Sequence, residues 1–84
     1  MKVTLKLYAT LSDHLPTDAR KTNAIELDLA AGTTPAQVIA DQNLPRKLCH
    51  LVLIDGVFIP PALRAQRALA EGETLAIWPP IAGG

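Results

Sequence analysis

The chain has 84 residues, which is room for one domain with a single hydrophobic core. Its eight basic and eight acidic residues cancel, a balance that argues against a nucleic-acid-binding surface and against a polybasic membrane anchor. Apolar residues make up 49% of the chain and aromatic residues only 4%, so the core must consist mainly of Leu, Ile, Val and Ala. The single cysteine excludes an internal disulfide, and with no long apolar run at the N-terminus we expect a cytoplasmic protein.

The first half of the chain predicts two strands followed by a helix. Apolar and polar residues alternate over 3–8 and again over 25–29, which is typical of strands with one buried face. Between them, residues 12–23 are polar and predict a loop. Thr34 is a good helix N-cap and a proline follows it, so a helix of about two to three turns is expected over 35–44.

The second half of the chain predicts three more strands. Residues 50–54 form an almost continuous apolar run, which favours a central strand covered on both faces over an edge strand. The Asp-Gly dipeptide that follows is a strong hairpin signal and predicts a returning strand over 57–59. A short helical stretch over 62–69 and a last strand over 75–78 complete the pattern.

Together these elements predict an α+β fold, a mixed sheet of about four to five strands with one main helix across one face. Because the helix falls between two hairpins, the first and last strands should lie side by side at the centre of the sheet. This is the β-grasp topology of ubiquitin. We expect the β-grasp domain to cover residues 1–78 and a flexible tail to cover residues 79–84.

Two aromatic residues are candidates for a partner surface, Phe58 on the predicted hairpin and Trp78 at the end of the last strand. If Leu75 and Ile77 face the helix, Trp78 points to the open face of the sheet. An exposed tryptophan there would be a good anchor for a partner. The alternative is that the tail or a neighbouring loop covers it.

Few side chains indicate catalysis or metal binding. His14 and His50 are too few and too far apart to predict a metal site, which needs three or four convergent ligands. Cys49 lies beside His50, where an activated thiol is conceivable, but a small buried cysteine is the commoner situation. Arg64 and Arg67 would share a face if their stretch is helical, and with the Arg-Lys pair at 46–47 they form either a docking patch for an acidic partner or a solvated surface.

The last six residues have an unusual order, two stiff prolines followed by two flexible glycines at the end. They are Pro79, Pro80, Ile81, Ala82, Gly83 and Gly84. The proline pair predicts an extended segment that leaves the last strand, with a reach of about 20 Å, long enough to enter another protein's active site. The two glycines lack a Cβ and can pass through a narrow channel. A frayed end and a cloning scar are the alternatives.

The chemistry of such a tail belongs to the C-terminal carboxylate of Gly84. With an ordinary pKa of about 3.5 it is ionised near neutral pH and can attack the α-phosphate of ATP if an enzyme supplies charge stabilisation. The resulting acyl-adenylate can be displaced by sulfide or persulfide to leave a thiocarboxylate, or by an amine to leave a conjugate. The carrier itself needs no catalytic side chain.

The segment LAEGETLAIWPPIAGG resembles the C-terminus of the MoaD/ThiS family of bacterial sulfur carriers, in which an (E/D)G(D/E) turn precedes the last strand and the chain ends on Gly-Gly. The resemblance covers nearly the whole chain. The proline pair is closer to the small subunit of molybdopterin synthase, whereas LIDGVFIPPALRAQ is similar to the thiamine-type carrier, so both pathways stay open. The family pattern often has phenylalanine where this chain has Trp78.

The resemblance implies a β-grasp fold with no bound cofactor and no enzymatic activity of its own. Gly84 would be adenylated by an activating enzyme related to ubiquitin-activating enzymes, which uses ATP, and would then carry sulfur as a thiocarboxylate. The tail would enter the large subunit of molybdopterin synthase and donate sulfur to the pterin precursor, or the acceptor would be the thiazole synthase. Two other classes stay open, a ubiquitin-like protein modifier acting through Gly84 and a passive β-grasp interaction module.

Overall fold

The computed structural model describes residues 1–80 and has the predicted α+β architecture. In the described part, five strands form one sheet and an α-helix lies across one face. The bounds are β1 Lys2–Leu7, β2 Ala24–Asp28, α1 Pro35–Asp41, β3 Leu51–Ile54, β4 Val57–Phe58 and β5 Thr74–Trp78. The strand order is β2-β1-β5-β3-β4, with β1 and β5 parallel and the other neighbours antiparallel. The β-grasp prediction, including the central pair of first and last strands, is confirmed.

The core lies between the helix and the two central strands. Leu5 pairs with Leu75 and Leu7 with Ile77 across the parallel β1–β5 ladder, and these four side chains are almost completely buried. Val38 of α1 is also buried in this core. Each fully buried aliphatic side chain contributes about 1.5–3 kcal/mol. The period-two pattern of β1 and β5 therefore fixes which face of the sheet receives the helix.

Helix α1 begins as predicted and ends earlier than predicted. The Gln37 N–H donates to Thr34 Oγ1 at 3.3 Å and the Thr34 N–H donates to Gln37 Oε1 at 2.9 Å, which completes a capping box. Asn43 then adopts a left-handed φ of 55°, and the Leu44 N–H donates to the Ile39 carbonyl at 3.0 Å. This Schellman-type ending stops the helix at Asp41, before Pro45, at which the sequence predicts the end.

The structure confirms the hairpin that the Asp-Gly dipeptide predicts between β3 and β4. Asp55 and Gly56 have φ values of 49° and 83°, the two positive values that a type I′ turn requires. The Asp55 Oδ1 accepts a hydrogen bond from the Thr74 N–H at 2.8 Å, so the turn is also tied to β5. The hairpin register pairs Ile54 with Val57.

Three local predictions are wrong. The predicted loop over 12–23 contains the end of the 3-10 helix Ala9–His14 and the whole of the 3-10 helix Thr17–Lys21. The predicted helical stretch over 62–69 has only the short 3-10 helix Pro61–Leu63, followed by turns. Strand β3 lies inside the sheet as predicted, but only one of its faces is covered, because the helix layer lies on a single side of the sheet; Leu51 is 37% exposed.

Candidate functional site: the base of the C-terminal segment

The chain leaves the sheet at Trp78, between β1 and β3. The His50 N–H donates to the Trp78 carbonyl at 3.1 Å, and the Tyr8 N–H donates to the Ile77 carbonyl at 3.2 Å. Pro79 has no N–H to continue either ladder, and a second proline follows it. The proline pair therefore ends β5 where the sequence analysis expected. The rest of the predicted tail, Ile81, Ala82, Gly83 and Gly84, lies outside the described residues.

An aromatic stack lies at this exit point. The rings of Tyr8 and Trp78 are nearly parallel, with an interplanar angle of 4° and centroids 3.9 Å apart. Trp78 lies on the open face of the sheet and keeps 40% of its surface exposed. Trp78 therefore lies on the face that the alternation of β5 predicts. The side chain of Tyr8, at the end of β1, covers one face of the Trp78 ring. The sequence pattern does not predict this contact, because the contact depends on the parallel register that places Leu7 beside Ile77.

The open face of the sheet carries a row of apolar side chains beside the stack. Leu51 pairs with Trp78, and Leu53 pairs with Ala76 on one side and with Phe58 on the other. Phe58 is 47% exposed and lies 6.0 Å from the Arg64 guanidinium, measured to the ring centroid. We call these residues the open-face patch: Tyr8, Leu51, Leu53, Phe58, Ala76 and Trp78. Contiguous exposed apolar surface of this kind marks protein interaction sites.

Cys49 is a buried structural residue and not an activated nucleophile. It is 6% exposed, and its Sγ–H donates to the Pro45 carbonyl at 3.4 Å. Burial raises the pKa of the thiol, and the positive charges of Arg64 and Arg46 only partly oppose this effect. The thiol is therefore protonated near neutral pH. The neighbouring His50 side chain is exposed.

Within residues 1–80, no group of three or more His, Cys, Asp and Glu side chains could hold a metal ion. In the same residues, no helix is both long and apolar enough to span a bilayer.

Arg64 and Arg67 have separate structural roles, so the expectation that they share a helical face is wrong. The Arg64 guanidinium donates hydrogen bonds of 3.0 Å to the carbonyls of Ile59, Cys49 and His50. Arg67 instead makes a bidentate ion pair with Glu73, at 2.7 and 2.9 Å. This contact is the main cause of the lowered pKa of Glu73. Turns rather than a helix connect the two arginines, so their three-residue spacing does not align them.

Comparisons with known proteins agree with this architecture. The family model of the ThiS family matches residues 14–84. No curated protein matches the sequence significantly. The crystal structure of SAMP1 from Haloferax volcanii is similar with a TM-score of 0.70 and 19% identity, and the match covers 100% of both chains. The solution structure of the Haloferax volcanii HVO 2177 protein has a TM-score of 0.73 and 21% identity, with 100% of this chain and 87% of that chain covered.

A third solved structure comes from a two-subunit assembly, the protein-protein complex of subunits 1 and 2 of the molybdopterin-converting factor from Helicobacter pylori 26695. The match has a TM-score of 0.61 and 12% identity, and covers 100% of both chains. At these identities the solved structures establish the fold. The family model spans most of the chain, and on that ground the protein belongs to the ThiS family of ubiquitin-like sulfur carriers.

Proposed function

We propose that this protein carries sulfur on the carboxylate of Gly84 and donates it in molybdopterin biosynthesis. An activating enzyme transfers AMP from ATP to the carboxylate, and pyrophosphate leaves. Sulfide then attacks the acyl carbon and AMP leaves, so that Gly84 ends as a thiocarboxylate. Where the sulfur comes from a persulfide, attack forms an acyl disulfide, and a thiol then cleaves its S–S bond to release the thiocarboxylate and a disulfide. The single observation that carries this proposal is the family match, which runs through residue 84 and so includes the Gly-Gly sequence.

The geometry at the end of β5 supports a carrier that acts inside a partner. The central strand of the sheet ends at Trp78, where the proline pair turns the backbone out of the ladders. The reacting carboxylate then lies six residues beyond the folded domain, at the end of a segment that reaches about 20 Å when extended. The activating enzyme and the acceptor supply the catalytic groups, so the carrier itself is not an enzyme and binds no cofactor on this proposal.

Two partners are proposed, the adenylating enzyme and the large subunit of molybdopterin synthase. The open-face patch, with Phe58 and Trp78 as anchors, would contact them while Pro79, Pro80, Ile81, Ala82 and Gly83 enter their active sites. The similarity to a chain of the Helicobacter pylori complex supports a two-subunit assembly. A reducing compartment such as the cytoplasm suits a carrier of reduced sulfur.

A second acceptor, the thiazole synthase of thiamine biosynthesis, is favoured by the hairpin sequence together with the same family match. The matching family model is that of the ThiS family, and the hairpin sequence LIDGVFIPPALRAQ resembles the thiamine-type carrier. The two acceptors share the activation chemistry and differ only in the last transfer. The choice between them therefore needs the acceptor enzymes themselves.

The first experiment measures intact mass after incubation with ATP, a sulfur donor and the cognate activating enzyme. Exchange of one carboxylate oxygen for sulfur adds about 16 Da, and alkylation should trap the product. A variant that lacks Gly83 and Gly84 is the matched control and should show no change. An unmodified mass with a demonstrably active enzyme would refute the carrier proposal in favour of the passive module, and adducts on lysines of other proteins would indicate the modifier.

The second experiment assigns the acceptor. The thiocarboxylate form, prepared once, is offered separately to the molybdopterin synthase large subunit and to the thiazole synthase. Loss of the added sulfur in single-turnover reactions is followed by mass. Transfer only to the first enzyme supports the molybdopterin pathway, and transfer only to the second replaces it with the thiamine pathway.

A further inference from the structure

A groove opens on the helix side of the sheet, and Arg64 on its rim also lies over Phe58 at the edge of the open-face patch. It encloses about 830 Å³ between the C-terminal part of α1, the 3-10 turn Arg46–Leu48 and the segment around Pro61. Ile39, Leu44 and Cys49 contribute apolar surface to its floor. A cleft of this volume accommodates several side chains of a peptide.

The rim of this groove is positively charged. Arg46, Lys47 and Arg64 line it, and among the described residues that line the groove there is no Asp or Glu. Within residues 1–80, none of these three cations takes part in an ion pair. Arg64 uses three of its guanidinium N–H groups on backbone carbonyls, which leaves two donors for a ligand. In a chain whose formal net charge is zero, this is a local field that favours an anionic partner.

The combination of floor and rim selects the chemistry of the ligand. A bare inorganic anion would gain nothing from an aliphatic floor, and a purely apolar ligand would gain nothing from the cations. We propose that this groove binds an acidic segment of a partner protein, with an aliphatic side chain of that segment on the floor beside Ile39 and Leu44 and its carboxylates at Arg46 and Lys47. The proposal stands independently of the sulfur chemistry at Gly84.

The groove is connected to the exit of the C-terminal segment through a short chain of hydrogen bonds. Arg64 donates to the His50 carbonyl at 3.0 Å, and the His50 N–H donates to the Trp78 carbonyl at 3.1 Å. A protein seated in the groove therefore contacts the fold next to the end of β5, on the side that the open-face patch does not cover. This arrangement gives a partner a second contact near the emerging tail.

The test titrates the full-length ¹⁵N-labelled protein with a synthetic acidic peptide and follows backbone amide shifts. The probe carries two leucines flanked by glutamates and aspartates. One control peptide replaces the acidic residues with their amides, and the other replaces the leucines with serines. We expect saturable shifts at groove residues such as Ala40, Leu44 and Cys49, with affinity that falls as salt rises, and weaker binding of both control peptides.

Matched charge reversals separate the groove from the general charge of the protein. Lys47→Glu should weaken binding of the acidic peptide about tenfold, whereas Lys21→Glu, which changes the net charge equally at an exposed lysine outside the groove, should leave it within about twofold. Arg46→Glu provides a second reversal if the first variant fails to fold. Equal binding by the Lys47 and Lys21 variants, or peptide shifts confined to the open-face patch, would overturn the proposal.

Small ligands and the protein's own tail are tested in the same spectra. Binding of inorganic phosphate or octanoate at the groove amides as tight as that of the peptide would make this a small-anion site. Groove shifts caused by removal of residues 81–84, without any peptide, would make the tail itself the occupant. Either result overturns the assignment to a partner's acidic segment.

Discussion

Replacement of Tyr8 or of Trp78 with alanine should lower the free energy of unfolding. The double variant should lose less than the sum of the two single losses. Trp78 is 40% exposed, so on the order of 150 Å² of its surface is buried, and its truncation costs at most about 3–4 kcal/mol. Part of this cost belongs to the stack, because the rings lie 3.9 Å apart and nearly parallel. Aromatic pairs in such contact contribute about 0.5–1.5 kcal/mol beyond the area that they bury.

A double-mutant cycle measures the coupling energy between the Tyr8 and Trp78 rings. The free energy of unfolding in urea is determined for wild type, Tyr8→Ala, Trp78→Ala and the double variant by far-UV circular dichroism. Trp78 is the single tryptophan, so its fluorescence gives a second readout in the Tyr8 variant. The coupling energy should be about 0.5–1.5 kcal/mol.

The control cycle pairs Tyr8 with Phe58. Phe58 lies on β4, three strands from β1, which is about 14 Å in the hydrogen-bonding direction. At that separation the two substitutions should add. If the Tyr8 and Trp78 losses also add within about 0.3 kcal/mol, the stack contributes no coupling and the reasoning is refuted.

Three further outcomes follow from single contacts. Thr34→Ala removes the capping box of α1 and should lower the free energy of unfolding by about 1 kcal/mol in urea titrations; an unchanged midpoint would contradict this role. The Arg67 contact lowers the pKa of Glu73, so the stabilisation that the contact provides is present above the ordinary pKa of a glutamate and is lost as pH falls. Glu73→Gln should therefore reduce the fall of the melting temperature at acid pH, and a fall as steep as that of wild type would contradict this role of the contact. Burial raises the pKa of the Cys49 thiol, so the stability that the buried thiol contributes is present below its ordinary pKa of 9.0 and is lost as pH rises. Cys49→Ala should therefore reduce the fall of the melting temperature at alkaline pH. A fall as steep as that of wild type would rule out ionisation of Cys49 as its cause.

The sequence predicted the elements whose signals are local and periodic. Alternation in β1 and β5 placed Leu75 and Ile77 in the core and Trp78 on the open face, because strand parity depends only on neighbours along the chain. The N-terminus of α1 was equally predictable, since Thr34 and the proline after it act within one turn. The end of α1 was not predictable in the same way. Asn43 adopts the left-handed conformation that ends the helix, but an asparagine is a weaker sequence signal than the proline that follows two residues later.

The contacts that shape the candidate site come from register and tertiary packing. Tyr8 meets Trp78 only because β1 and β5 are parallel neighbours with Leu7 beside Ile77. Arg64 reaches carbonyls 5 to 15 positions away in the chain, and no local pattern encodes such a contact. The Arg-Lys pair at 46–47 is visible in the sequence, but the apolar floor that makes it part of a groove is built by Ile39 of α1 and by Leu44 and Cys49 on either side of the pair.

The position of the exit at the end of the central strand separates the chemistry of the proposed carrier from its recognition. Trp78 is held on both sides, by the Tyr8 ring and by the His50 N–H, so the segment beyond it starts from a fixed point whichever partner receives it. The carboxylate that reacts is the same in every case. Discrimination among an activating enzyme and alternative acceptors must then come from the surfaces beside the exit, the open-face patch on one side and the cationic groove on the other. Substitutions in either surface should therefore change the apparent KM for one partner without changing the rate at which bound thiocarboxylate reacts.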